Sequence, residues 1–163
     1  MDAFAVWLKG TALSHFVTHY GWVWATCEVL HFIGMSLLLG CIGVLDLRLL
    51  GLWRGAPVVA VNSLVRWGVA GLSINVVTGA LFVAGEPLQY VNNPAFQLKM
   101  LFLALAAWNV VMFYVTGVAA QVESLDEHDE TPLSAKVIAG TSLFLWIGVM
   151  FFGRMLPYLG HSF

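Results

Sequence analysis

Four long runs of uncharged, mostly apolar residues divide this chain. They contain 17, 19, 23 and 17 residues and lie between Glu28 and Asp46, Arg66 and Glu86, Lys99 and Glu123, and Lys136 and Arg154. A membrane-spanning helix needs about 20 mostly apolar residues, whereas a membrane-spanning strand needs about 10 of alternating polarity. Because these runs do not alternate, they predict an all-α, four-helix transmembrane bundle, with spans near 22–48, 60–85, 95–121 and 133–157.

The segment before the first run has a different pattern. Its large apolar residues can form one side of a helix while Lys9 stays near water, and these residues are Phe4, Trp7, Leu8, Leu13 and Phe16. This pattern predicts a short interfacial amphipathic helix over 2–19. A secretory signal peptide is not indicated, because the chain opens with Asp2 and not with a basic cluster. The links between spans are short, so we predict a single integral membrane domain over 1–163.

The basic residues predict the orientation of the bundle. Arg48, Arg54 and Arg66 surround the first loop, and basic residues near helix ends favour the cytoplasmic side. Both termini are therefore predicted on the outer, periplasmic side of a bacterial cytoplasmic membrane. Aromatic residues near the predicted boundaries fit an interfacial belt, namely Trp22, Trp24, Trp53, Trp67, Tyr90 and Tyr158.

Composition and charge limit the partners. The chain is 60% hydrophobic and 10% charged, with a formal net charge of −2. A soluble domain has about 25% charged residues, so the lipid bilayer is the expected surrounding. The basic residues are scattered, which excludes a nucleic-acid-binding surface. Cys27 and Cys41 lie about 21 Å apart along one predicted helix, too far for a disulfide.

Small residues recur at helical spacing on two predicted spans. One set is Ser36, Gly40 and Gly43, and the other is Gly68, Gly71, Asn75 and Gly79. Small residues let helix backbones approach closely inside a membrane, so both sets are predicted to face neighbouring helices. These faces exceed what one bundle core needs, which predicts a homo-oligomer or membership of a larger membrane complex.

Polar residues within the spans fall into layers. Counted from Trp22, Glu28 lies about 9 Å and His31 about 14 Å into the first helix. Lys99 and Arg154 lie at the depth of Glu28, and Asn75 lies near the depth of His31. The outer layer is open to two interpretations: an ion-paired layer that ties the helices together, or the polar edge of a binding site.

Two further polar features are interpreted as structural. Asp46, Arg48 and Arg66 form a second layer at the inner end of the bundle. Asn109 shares a helix face with Lys99 and is predicted to donate a hydrogen bond to a neighbouring helix.

His31 is the one histidine in the predicted spans, with Cys27 and Met35 one turn away on either side. An imidazole inside a four-helix bundle can ligate haem iron, and the three residues together could bind copper(I). Alternatively, His31 is hydrogen-bonded to Asn75 or Glu28 without any cofactor. A di-iron site is excluded, because it requires several more buried carboxylates. A second axial histidine is missing at matching depth.

Several strings resemble a bacterial family of small integral membrane proteins of unknown function. They are "EVLHFIGMSLLLG", "LDLRLLGL", "NNPAFQLK" and "LWIGVMFFGRMLPY". The resemblance covers nearly the whole chain and implies a four-helix membrane domain with no established activity. The positions that match are Glu28, His31, Asp46, Arg48, Asn92, Pro94, Lys99, Asn109 and Arg154. The "LHFIGMSLLLG" helix is also similar to the histidine helix of CopD-type copper-resistance proteins and of four-helix b-type cytochromes.

The favoured hypothesis is a redox-type membrane subunit for electron transfer rather than a stand-alone enzyme. It would hold b-type haem through His31, with cations pairing with the propionates. The other predicted cofactor-binding residues are Glu28, Met35, Asn75, Lys99, Asn109 and Arg154. The alternatives are a structural or assembly subunit with a buried ion-pair layer, and a copper-binding or transport protein.

Overall fold

The computed structural model describes residues 2–52, 63–125 and 129–159, and its regular elements there are α-helices. They are α1 (Asp2–Lys9), α2 (Ala12–His19), α3 (Gly21–Leu49), α4 (Val65–Gly85), α5 (Pro87–Val91), α6 (Pro94–Val115), α7 (Val118–Glu123) and α8 (Leu133–Leu159). Among the described residues, α3, α4, α6 and α8 are long and apolar enough to cross a membrane. The predicted all-α bundle of four spans is therefore confirmed, and the chain has the character of an integral membrane protein.

Two predicted helices are interrupted. The interfacial helix over 2–19 breaks after Lys9, and the Thr11 hydroxyl accepts a hydrogen bond from Ser14 N at 3.2 Å to cap α2. The span predicted to reach residue 121 ends at Val115, because Gly117 adopts a left-handed conformation with a φ of 76° that terminates the helix. The second span begins at Val65, and its predicted first residues 60–62 lie outside the described chain.

The four spans form two antiparallel pairs. α3 packs along α4, α6 packs along α8, and the pairs join mainly where α3 meets α8. A buried apolar cluster occupies this junction and consists of Leu38, Ala106, Leu145 and Trp146. In the described part of the chain, α4 and α6 hardly touch each other. The bundle is therefore least tightly closed between α4 and α6.

The α3–α4 pair depends on two glycines. A Cβ atom on Gly71 would lie 2.5 Å from the carbonyl oxygen of Gly34, and a Cβ on Gly34 would lie 2.8 Å from that of Gly71. The two backbones are thus in direct contact, as small residues permit in membranes. Gly68 faces Ile42, and Gly79 faces His31. The predicted packing face of α4 is confirmed.

The predicted packing face of α3 was wrong. Ser36 and Gly40 are exposed, and no atom of the described residues lies within 4 Å of a Cβ built on Gly40 or Gly43. The reason is that α3 turns Gly34 and Leu38 inward instead, and both are buried. Ser36 and Gly40 line a shallow, outward-facing groove on α3.

The short helices α1, α2 and α5 cover the end of the bundle where α3 and α6 begin and α4 and α8 finish, which we call the α1 end. Here Lys9 Nζ and Ser14 Oγ donate to the Gly85 carbonyl oxygen at 3.1 and 3.2 Å. They satisfy a carbonyl that the helix end leaves unpaired. Lys9 also forms an ion pair with Glu86 at 2.6 Å, and Val17 of α2 is fully buried.

Asparagine side chains join α6 to α8 at two depths. Asn93 caps α6 by accepting from Ala95 N at 2.9 Å, and its Nδ2 donates to Leu156 O of α8 at 2.9 Å. Pro94 occupies the first turn of α6. Deeper in the bundle, Asn109 Nδ2 donates to Ile138 O at 3.1 Å. The predicted interhelical hydrogen bond of Asn109 is confirmed.

Candidate functional site

His31 is held against α4 by a chain of hydrogen bonds. Its Nδ1 lies 2.7 Å from Thr78 Oγ1, and Thr78 Oγ1 lies 2.8 Å from Ile74 O. A hydroxyl has one proton to donate. When Thr78 donates it to Ile74 O, His31 Nδ1 must carry the proton that joins it to Thr78. Nε2 then holds the imidazole lone pair, and it has no hydrogen-bond partner among the described residues.

The walls around the His31 ring are small or flat. A Cβ on Gly79 would lie 3.9 Å from the ring carbon Cε1 of His31. Phe82, one turn from Thr78, stands edge-on to the ring with centroids 5.5 Å apart. Because Gly79 has no side chain, the imidazole lies next to the backbone of α4. The ring is half-buried, so its orientation is set by α4 without being enclosed.

Lys99 approaches the same region from α6. A Cβ on Gly153 of α8 would lie 3.5 Å from Lys99 Nζ, and the positive charge of Lys99 is close enough to act on His31. Lys99 Nζ makes no hydrogen bond or ion pair with any residue that the structure describes. The neighbourhood thus combines an imidazole nitrogen and an ammonium group that both lack a partner among the described residues.

Glu28 and Arg154 lie at this depth but face elsewhere. Glu28 is exposed and accepts a hydrogen bond from Trp24 Nε1 at 3.1 Å. Arg154 is also exposed, with its guanidinium carbon 6.0 Å from the centre of the Tyr158 ring. Neither residue pairs with Lys99. The outer polar layer predicted from depth therefore does not close into an ion-paired network in the described chain.

The predicted hydrogen bond from His31 to Asn75 or Glu28 was wrong. Asn75 Nδ2 donates back to Gly71 O of its own helix at 3.1 Å, and its buried Oδ1 has no partner among the described residues. Met35 lies one turn further along α3 and is half-buried. Asn109 is committed to α8, as described above. Of the predicted cofactor-binding residues, the structure groups His31 with Lys99 and with the neighbouring Asn75.

Thr78 is the partner that sequence reasoning missed. It follows Asn75 by three residues and Gly71 by seven, so it lies on the α4 face already predicted to meet α3. The spacing was therefore visible in the sequence. Its selection over Asn75 depended on the exact crossing of α3 and α4, which the sequence does not specify.

Tyr90, near the α1 end, is a second residue that the sequence did not predict for the site. It lies on α5, half-buried, with its ring edge-on to Phe96 at 5.5 Å. Burial, and then the negative charges of Glu28 and Glu86, raise the pKa of the Tyr90 phenol above its ordinary value of 10.0.

Replacing Tyr90 with phenylalanine should flatten the alkaline dependence of stability. Because the folded pKa is raised, the folded protein holds this proton more tightly than the unfolded chain. The stabilisation that protonated Tyr90 contributes is fully present below pH 10.0 and is lost as pH rises through the folded pKa. Thermal unfolding followed by circular dichroism over alkaline pH should show a smaller decline for Y90F. Identical declines for Y90F and the wild type would contradict this assignment.

Other polar groups lie apart from His31. Asp46 and Arg48 are buried at 5% and 2% exposure, whereas Arg66 is exposed. His15 and His19 are exposed on α2, with rings stacked at 4.9 Å. The described residues contain no group of three or more His, Cys, Asp and Glu side chains that could hold a metal ion. Trp53, Arg54, His128 and His161 lie outside the residues that the structure describes.

Comparison with known families identifies the family of this chain. The model of DUF6644, described as a family of unknown function, matches residues 4–160. The chain belongs to DUF6644. This confirms the resemblance to a family of unknown function across nearly the whole chain. No curated protein and no solved structure matches the chain, so the similarity of this DUF6644 member to CopD-type proteins and b-type cytochromes gains no support.

Proposed function

We propose that this DUF6644 protein is an integral membrane subunit that binds b-type haem through His31 for electron transfer. The observation that supports the proposal is the hydrogen-bond chain that holds Nδ1 on Thr78 and leaves Nε2 with a lone pair. A metal-ligating histidine characteristically donates its other ring N–H to a neighbouring acceptor. A histidine that only joined two helices would not need a second ring nitrogen that is free to bind a metal.

The surrounding residues would offer haem a cation and an aromatic contact. Lys99 supplies an unpartnered cation for a propionate, since its Nζ has no described partner. Gly79 has no side chain beside the imidazole, and Phe82 adds an aromatic wall. When bound, haem supplies one-electron redox chemistry. The chain itself would position the ligand nitrogen, balance the propionate charge and exclude water.

The described spans contain no second histidine, so the proposal is for one histidine ligand per chain. Met35 follows His31 by one turn on the same helix, so a second ligand would come from elsewhere. A partner subunit would supply it, or His31 alone would hold the haem.

The absorption spectrum of the purified protein tests this function. Protein produced with added haem should show a Soret band, and dithionite should sharpen the b-type bands. H31A should lose the bands, whereas H19A, which changes an exposed histidine on α2, should retain them. Absence of haem from folded wild-type protein by pyridine extraction would overturn the proposal. Copper found by metal analysis in its place, lost in H31A, would favour a copper site.

A structural or assembly subunit is the second candidate, because polar side chains already join the helices. His31 bonds to Thr78 across α3 and α4, and Asn93 and Asn109 bond α6 to α8. For this function, H31A should lower stability, and neither protein should absorb in the Soret region. The same spectra therefore separate the two candidates.

We further propose that the α1 end lies on the periplasmic side of a bacterial cytoplasmic membrane, because arginines surround the first loop. A homo-oligomer or a larger membrane complex is part of the proposal, and the exposed groove of Ser36 and Gly40 supports it. A reporter enzyme fused to the C-terminus tests the orientation, since cytoplasmic activity would contradict it.

A further inference from the structure

Asp46 is a buried carboxyl group that the proposed haem site does not use. It lies one turn before the end of α3, far from His31, and only 5% of it is exposed. Its neighbour is Ser142 of α8, itself 7% exposed, whose hydroxyl lies close to the carboxyl group. The carboxyl oxygen Oδ2 is enclosed and has no hydrogen-bond partner among the described residues.

The surroundings of Asp46 are otherwise apolar. Leu45 and Leu49 of α3 flank it, and both belong to or border the apolar cluster that includes Ala139 of α8. Across this interface, Ser142 follows Ala139 by three residues and so lies on the same face of α8. Asp46 is therefore buried between two membrane-spanning helices.

No charged side chain among the described residues forms an ion pair with Asp46. Arg48 follows it by two residues and leaves α3 in another direction, because each residue rotates a helix by about 100°. Lys136 lies six residues before Ser142 on α8, Arg66 is exposed at the start of α4, and Glu123 is exposed on α7.

An ionised carboxylate without a cation is expensive inside a membrane. A neutral carboxylic acid avoids that cost and can still accept a hydrogen bond from Ser142. We propose that Asp46 is a proton-binding site within the membrane, with Oδ2 as the atom that takes the proton and Ser142 as the hydrogen-bond donor to the carboxyl group. The site lies at the end of the bundle opposite to the α1 end, beside α7, and is independent of the haem proposal.

Infrared spectroscopy of the full-length protein in lipid tests this site. At neutral pH the wild type should show the carbonyl stretch of a protonated carboxylic acid, shifted by transfer to D2O. The band should vanish in D46N and persist in the control E28Q, which changes an exposed carboxyl group. D46N should fold normally, because asparagine mimics the neutral acid. Absence of the band from the wild type, or its persistence in D46N, would overturn the proposal.

Chemical labelling of the wild type covers the case in which D46N fails to fold. Dicyclohexylcarbodiimide reacts with protonated carboxyl groups in apolar surroundings. The carboxyl oxygen bonds to the carbodiimide carbon as the proton moves to nitrogen, and the acyl group then migrates to nitrogen without a leaving group. Mass spectrometry should place the adduct on Asp46. An adduct only on other carboxyl groups, or none, would overturn the proposal.

Discussion

Replacing Gly71 with alanine should separate α3 from α4 and destabilise the protein by about 1–3 kcal/mol or more. The new Cβ would lie 2.5 Å from Gly34 O and 2.8 Å from Leu38 N. Both are backbone atoms, so neither can rotate away, and a helix has to move. The displacement would carry Thr78 away from His31, because both residues lie on the same pair of helices.

The matched control for G71A is G43A, at a half-buried position of α3. No atom of the described residues lies within 4 Å of a Cβ on Gly43, and alanine is the better helix former. G43A should therefore be neutral or slightly stabilising. Unfolding of both variants from mixed micelles, followed by circular dichroism, measures the difference. Equal stability of G71A and G43A would show that the Gly34–Gly71 contact does not hold the helices together.

Replacing Thr78 with valine should weaken haem binding by about 10–100-fold, the usual cost of losing the group that orients a metal-ligating histidine. Valine has the shape of threonine without the hydroxyl, so packing between α3 and α4 is kept. His31 Nδ1 loses its acceptor, which lies 2.7 Å away in the native protein. The imidazole is then free to rotate or to change tautomer, and Nε2 no longer presents its lone pair in one direction.

Serine at position 78 is the control, because it keeps the hydroxyl for His31 Nδ1. Haem titration by absorbance should give near wild-type affinity for T78S and weaker binding for T78V. Circular dichroism should show that both variants remain folded. If T78V binds haem as tightly as T78S, Thr78 does not orient the ligand. A loss of stability in T78V without any haem binding by the wild type would favour the structural candidate.

The architecture was largely predictable because of the bilayer. Uncharged runs of this length fit helices and not strands, and the confirmed spans α3, α4, α6 and α8 follow from that alone. Breaks inside helices were harder to predict from the sequence. Gly117 lies between two apolar segments that both favour a helix, and its left-handed conformation with a φ of 76° shortened the third span.

Helix faces were predictable only in part. The glycine face of α4 was identified correctly, whereas that of α3 was not. In a membrane, lipid is as apolar as a helix core, so small residues can lie against either lipid or protein. Spacing alone could not distinguish Gly34, which contacts α4, from Gly40, which faces outward.

The sequence by itself determined that this is a membrane-spanning helical bundle with one histidine, His31, in its spans. It also placed Glu28, Lys99 and Arg154 at a similar depth, because depth follows from position along a helix. Only the tertiary structure decided which of these side chains meet. Rotation and crossing of the helices turned His31 toward Thr78, brought Lys99 near it, and left Glu28 and Arg154 exposed. Those angles result from close contacts between distant residues, such as Gly34 with Gly71, which no local pattern encodes.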